Sequence, residues 1–209
     1  MTALDKAAFY ATFRNRLGPL TADQVRGTEH ILNAIEGHPL AHQAYMLATA
    51  FHETAATMHP IRERGGYDYF TRMYDVAGDR PKTCIKMGNT CAGDGPKYCG
   101  RGYPQITWKV NYDKADAALA KAGRIIRGDL LANPDLAMLP DLAAYIMLEG
   151  MREGWFTGKK LSTYLPDQGV ATRLQYVAAR KIINGTDKAE LVEDYAQVFE
   201  RALRDGGLV

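Results

Sequence analysis

The chain has no long apolar run, no strong charge of either sign and little cysteine, and each shortage removes a class of protein. No stretch approaches the roughly 20 apolar residues that a membrane-spanning helix needs. Twenty-six Lys and Arg against 24 Asp and Glu leave a formal charge of +2 over 209 residues, far from the excess of a dedicated nucleic-acid binder, though compatible with a polyanionic wall or membrane surface. The first twenty residues carry Asp5, Lys6, Arg14 and Arg16 and lack the apolar core of a Sec export signal. The expectation is a protein made in the cytoplasm that reaches any outer target by another route. No strand-like alternation exceeds about four residues, and no repeat or low-complexity tract stands out.

The three cysteines, Cys84, Cys91 and Cys99, fall within sixteen residues. An odd count leaves at least one thiol unpaired in a monomer. Spacings of six and seven residues lack the C-x-x-C knuckle of a structural zinc site. A local Cys84–Cys91 disulfide fits an oxidising compartment, and three reduced thiols fit the cytosol. Nothing near the cysteines supports a thiol nucleophile using His52 or His59 as base.

What is present is helical periodicity. Leu4–Leu17, Thr21–Ile35 with Thr21 as N-cap, and His38–Thr57 read as helices, followed later by 111–122, Pro140–Glu153 and 187–204. In the last, Leu191, Val192, Tyr195, Val198, Phe199 and Leu203 form an apolar stripe opposite Glu190, Glu193, Asp194, Glu200, Arg201 and Arg204, the pattern of a packed helix rather than a membrane-active one. Between Gly65 and Gly102 lie eight of the twenty glycines, interleaved with tyrosines. This is too aromatic for a spacer, and it reads as a functional loop region with short helical turns and at most a short ribbon. The whole, 1–209, reads as one mainly α catalytic domain. It has a two-lobed cleft, a smaller lobe or insertion at about 65–102, and no separate wall-binding domain.

Glu53 is the residue to explain. From His38 to Pro60 it is the sole Asp, Glu, Lys or Arg, and Met46 and Ala50 lie on its own side of a helix apolar nearly all round. Such surroundings favour the protonated acid, as general acid catalysis of glycoside hydrolysis requires. A lone Glu in the last turn before Pro60 also fits a surface position. Ten residues on, Glu63 stands between Arg62 and Arg64, an environment that favours its charged form; alone it reads equally as a salt-bridged loop residue. One neutral and one charged carboxyl would form an acid and base pair acting on one glycosidic bond. In the stretch from Tyr98 to Tyr112, Gln105, Thr107 and Asn111 offer hydrogen-bond partners for hydroxyl and acetamido groups, and Tyr103 and Trp108 offer rings for stacking on a sugar face.

The order His52-Glu53-Thr54, then Glu63, then Gly-Asn-x-x-x-Gly-Asp-Gly at 88–95, then Gly100-Arg-Gly-Tyr-Pro-Gln-Ile-Thr107 through Asn111-Tyr112, then Ile182-Ile-Asn-Gly185 resembles the glycoside hydrolase family 19 superfamily. That superfamily holds plant-type chitinases and phage endolysins with a lysozyme-like helical fold. The resemblance covers about 40–200 and is nearer the endolysin branch, since the chain is compact and lacks the many cysteines of secreted plant chitinases. It implies Glu53 as general acid, Glu63 as general base, Thr107 as a holder of the attacking water, and Gln105, Asn111 and Asn184 along the substrate groove. Arg101 and Tyr112 match the motif without an assigned role. The implied reaction is a single displacement with inversion, no metal or organic cofactor, and carboxyl groups about 6.5 to 9.5 Å apart. The implied protein is a monomeric endolysin that cuts the β-1,4 bonds of peptidoglycan glycan strands after a holin-type membrane lesion. It would bind neither nucleic acid nor, stably, membrane. A chitinase and an inactive carbohydrate-binding protein of the same fold are the alternatives. Thr54 and Ala55 stand where the family is often richer in glycine, and the cysteine cluster lies outside the family core.

Overall fold

The computed structural model describes residues 3–209, and these are mostly helical. In chain order the helices are α1 (Lys6–Leu17), α2 (Ala22–Ile35), α3 (Leu40–Glu53), α4 (Tyr67–Tyr74), α5 (Pro81–Lys86), α6 (Asp94–Lys97), α7 (Lys109–Lys121), α8 (Asp129–Ala132), α9 (Pro140–Glu153), α10 (Arg173–Ala179) and α11 (Ala189–Asp205). Two short strands, β1 (Ile61–Arg62) and β2 (Arg101–Gly102), pair antiparallel with Ile61 opposite Gly102 and Arg62 opposite Arg101. The chain forms two compact units. One comprises the residues up to His59 together with Gly150–Val209, and the other is Pro60–Glu149.

In the discontinuous unit α3 is the central element. Every residue from Leu40 to Phe51 is buried, as a helix apolar on all sides must be. Phe51 of α3 meets Phe13 of α1 and Tyr195 and Phe199 of α11 edge-on, with ring centroids 4.9 to 5.9 Å apart. Each fully buried Phe contributes about 1.5 to 3 kcal/mol, so this cluster is a main anchor of α3. The amino end of α2 is closed by a capping box. Thr21 Oγ1 accepts from Gln24 N, and the Gln24 side chain accepts from Thr21 N. Beyond Glu53 the chain turns sharply, with Ala55, Ala56 and Met58 all at positive φ. Gln24 Nε2 pins this turn by donating to Ala56 O at 2.8 Å. Gly27 admits it, because a Cβ there would lie 1.9 Å from Met58 O. α11 buries Val192, Phe199 and Leu203 of its apolar stripe, while Leu191 is exposed and Glu193, read as part of the charged face, is fully buried. It pairs with Arg173 and accepts from Gln197. Among the described residues no helix is long and apolar enough to cross a membrane.

In the Pro60–Glu149 unit the glycine-rich segment is more ordered than a loop region, since it holds α4, α5 and α6. Asp75, fully buried, organises it by accepting from the main-chain N–H groups of Ala77, Gly93 and Gly95. Burial alone would raise its pKa. The backbone donors outweigh that and hold the carboxyl below the ordinary range. Arg101, also buried, ties β2 to Asp135, to the carbonyls of Lys97 and Cys99, and to Tyr112 Oη. Arg101 and Tyr112 thus have structural roles. The three thiols are all free, with Cys84 and Cys99 buried and Cys91 exposed.

Candidate active site

The residues singled out from sequence fall in both units. In the discontinuous unit, Glu53 is the last residue of α3, and Thr54 secures the helix end by donating from Oγ1 to Ala50 O and accepting from Met58 N. The apolar surround read for Glu53 is corrected here. Its Oε1 accepts from Arg180 Nη1 at 2.7 Å; the Arg180 side chain is 2% exposed and that of Glu53 18%. Arg180 Nε donates to Asp187 O, so the guanidinium is held on two sides. Among the described residues Glu53 Oε2 has no hydrogen bond, which leaves one oxygen for a proton and a leaving group. No local pattern about Arg180 marks it as the partner of Glu53, 127 residues away in the chain. The signal was a buried-helix carboxylate, which is rarely left without a partner.

Tyr45, Thr49 and Glu53 stand at successive four-residue intervals on α3. Tyr45 Oη and Thr49 Oγ1 are both buried, and burial pushes the Tyr45 hydroxyl far up. His52 is held below its ordinary pKa, by burial first, opposed by Glu53 and assisted by Arg180. Asn184 is exposed, with its main-chain N bonded to Arg180 O at 2.9 Å.

In the other unit, Glu63 follows β1 and extends the ribbon, its N–H bonding Gly100 O at 2.9 Å. Its carboxylate is held by neutral donors and not by the flanking arginines. Oε1 accepts from Tyr74 Oη at 2.8 Å and Tyr69 Oη at 3.4 Å, and Oε2 accepts from Gly100 N at 3.1 Å. Arg62 turns away to the Phe70 ring and Pro96 O. A Cβ at Gly100 would lie 3.0 Å from Glu63 Oε2 and 2.9 Å from Gln105 Oε1, so glycine lets the backbone approach the carboxylate. Burial and the Glu63 hydrogen bond together push the Tyr74 hydroxyl far above its ordinary range.

The loop from Gly102 to Trp108 is tied to the same ribbon. Gln105 Nε2 donates to Ile61 O and Gly102 O at 2.8 and 2.9 Å, so its amide nitrogen serves the loop rather than an open groove. Thr107 Oγ1 donates to Gln105 O at 2.9 Å, which leaves the hydroxyl oxygen free to accept. Asn111 Nδ2 donates to Thr107 O, while Asn111 Oδ1 is buried without a partner. Gln105 and Trp108 have φ of 53° and 77°, backbone states that cost non-glycine residues of order 1 kcal/mol or more and gather at functional sites. Tyr103 does not offer a stacking face, because its side chain is fully buried. The Trp108 ring stands edge-on to Tyr74 at 5.0 Å with the Arg80 guanidinium 5.9 Å above it, so that face is not open to a sugar. Among the described residues no group of three or more His, Cys, Asp or Glu could hold a metal ion.

No protein-family model and no curated protein matches the chain. Solved structures do. A mutant of chitinase C aligns over 99% of this chain and 77% of its own with TM-score 0.58, and chitinase C from Streptomyces griseus HUT6037 aligns over the same shares with TM-score 0.57. A bacterial family 19 chitinase aligns over 99% and 96% with TM-score 0.52, and all three are 21% identical to this chain. What is shared at that identity is architecture: the chain has the helical fold of the family 19 chitinases.

Proposed function

We propose that this chain is a glycoside hydrolase that cuts β-1,4 bonds in the glycan strands of bacterial peptidoglycan. Glu53 is the general acid and Glu63 the general base of a single displacement with inversion. The observation that carries the reading is the contrast between the two carboxyl groups. Glu63 has both oxygens engaged by donors that fix its orientation, as a base that must draw a proton from water needs. Glu53 is fixed through one oxygen and keeps the other for the leaving group. Thr107 donates to a carbonyl, so its oxygen can accept one hydrogen of the attacking water while Glu63 takes the other.

The motif order supports a phage-type endolysin, released to the wall through a holin-type lesion, and three free thiols suit a chain folded in a reducing cytosol. Chitin is the second reading, favoured by the fold shared with chitinases. Purified peptidoglycan and chitin hexamer, each incubated with the protein, separate the two by the reducing ends released. Proton NMR of the first products shows α anomers if the displacement inverts and β anomers if it retains. Release from neither substrate removes the hydrolase reading.

A further inference from the structure

The structure assigns Tyr74 as the residue that positions Glu63, and gives Trp108, Arg80 and Asn89 the task of fixing Tyr74. This inference rests on reading Glu63 as the general base, and it names a device that the motif order does not contain. Tyr74 is the last residue of α4, and its hydroxyl makes the shorter of the two tyrosine contacts to Glu63 Oε1, 2.8 Å against 3.4 Å from Tyr69. A hydroxyl can aim a carboxylate only if its own ring is held, and this ring is held on three sides. Trp108 stands edge-on with centroids 5.0 Å apart and planes at 85°, the favoured T-shaped arrangement. Phe70 stacks at 6.4 Å, and the Arg80 guanidinium lies 5.8 Å from the ring centroid.

The backbone is fixed as well. Arg80 Nε and Nη2 both donate to Met73 O. Asn89, fully buried, donates from Nδ2 to Tyr74 O at 2.8 Å and accepts at Oδ1 from Lys109 N at 2.9 Å. One side chain therefore staples the end of α4 to the residue after Trp108. The positive φ of Trp108 belongs to the same arrangement, which turns its ring against Tyr74. Trp108 is on this account the wall behind the base. The charged and titratable groups about Glu63 are Tyr69 and Tyr74 from α4, Arg80 across the Tyr74 ring, and its chain neighbours Arg62 and Arg64.

The test is Tyr74→Phe, which keeps the ring and its packing and removes one oxygen, with Tyr69→Phe beside it. On whichever glycan the wild type hydrolyses, Tyr74→Phe is expected to lower kcat about ten-fold or more with KM within about two-fold. It should also move the acid limb of kcat/KM upward, since the carboxylate loses a donor to its charged form. Tyr69→Phe should do less of both. A merely structural tyrosine would lower the melting temperature and leave the pH profile in place. Titration of carboxyl-labelled glutamate by carbon-13 NMR reads the contact without activity: the Glu63 midpoint should rise more in Tyr74→Phe than in Tyr69→Phe. Unchanged kcat and an unchanged Glu63 midpoint in a folded Tyr74→Phe overturn the positioning role. If the midpoint moves while no glycan is hydrolysed by the wild type, the contact stands and the assignment of Glu63 as a catalytic base falls.

Discussion

Removing Arg180 perturbs Glu53 most cleanly, because the pair lies within one unit and its two members differ in burial. Arg180→Met leaves a carboxylate that is 18% exposed facing a hydrophobic side chain where a cation stood 2.7 Å away. Breaking a buried pair from one side costs about 3 to 5 kcal/mol, and the partial exposure of Glu53 reduces that to about 2 to 4. Glu53→Gln keeps an oxygen for Arg180 and removes only the charge, costing about 1 to 2 kcal/mol. In the double variant a neutral amide faces methionine, so its loss should fall short of the sum by about 1 to 3 kcal/mol. Urea unfolding followed by far-ultraviolet circular dichroism measures all three, and for Arg180→Met the melting temperature should fall by about 4 to 16 °C. Additivity within about 0.5 kcal/mol would refute the reasoning, since it would mean that the two side chains do not sense each other.

Gly27→Ala drives a methyl into Met58 O at 1.9 Å. It should cost about 1 to 3 kcal/mol by overpacking and displace the turn after Glu53, so activity should fall more than stability; calorimetry and turnover measured together check this. His38, His42 and His52 are all held below their ordinary pKa, burial being the largest cause for each. Their unfolded forms therefore bind protons first, and stability should decline as pH falls below about 6.5, continuing until each folded pKa is passed. A melting temperature flat between pH 7 and 5 contradicts this. Glu63→Ala should be nearly inactive. Thr107→Ala, which loses only one holder of water, should be weakened less; equal losses would make Thr107 more than a holder.

The helices were legible because each declares itself locally. Thr21 and Gln24 form the capping box expected at a helix start, and Pro140–Glu153 is helical over the interval its periodicity marked. The unbroken apolar run of α3 required burial, and it is buried. The glycine-rich segment was harder to read. Its order comes from Asp75 and Asn89, whose partners lie 15 to 20 residues away, beyond the reach of any helical or strand period. The two candidate carboxylates stood out by composition, but their partners did not. Arg180 is 127 residues from Glu53, and Tyr74 is eleven from Glu63, so only the tertiary fold brings them together. Tyr103 shows the opposite error. An aromatic residue in a polar motif looked like a platform, and the fold used its ring as core.

The central claim is that this fold hydrolyses a wall glycan through Glu53. Mass spectrometry of the muropeptides that wild type and Glu53→Gln release from purified peptidoglycan, with analysis of the reducing ends, tests it most directly. The account predicts products ending in reducing N-acetylmuramic acid from the wild type and none from a folded Glu53→Gln. The same products from both proteins would contradict it.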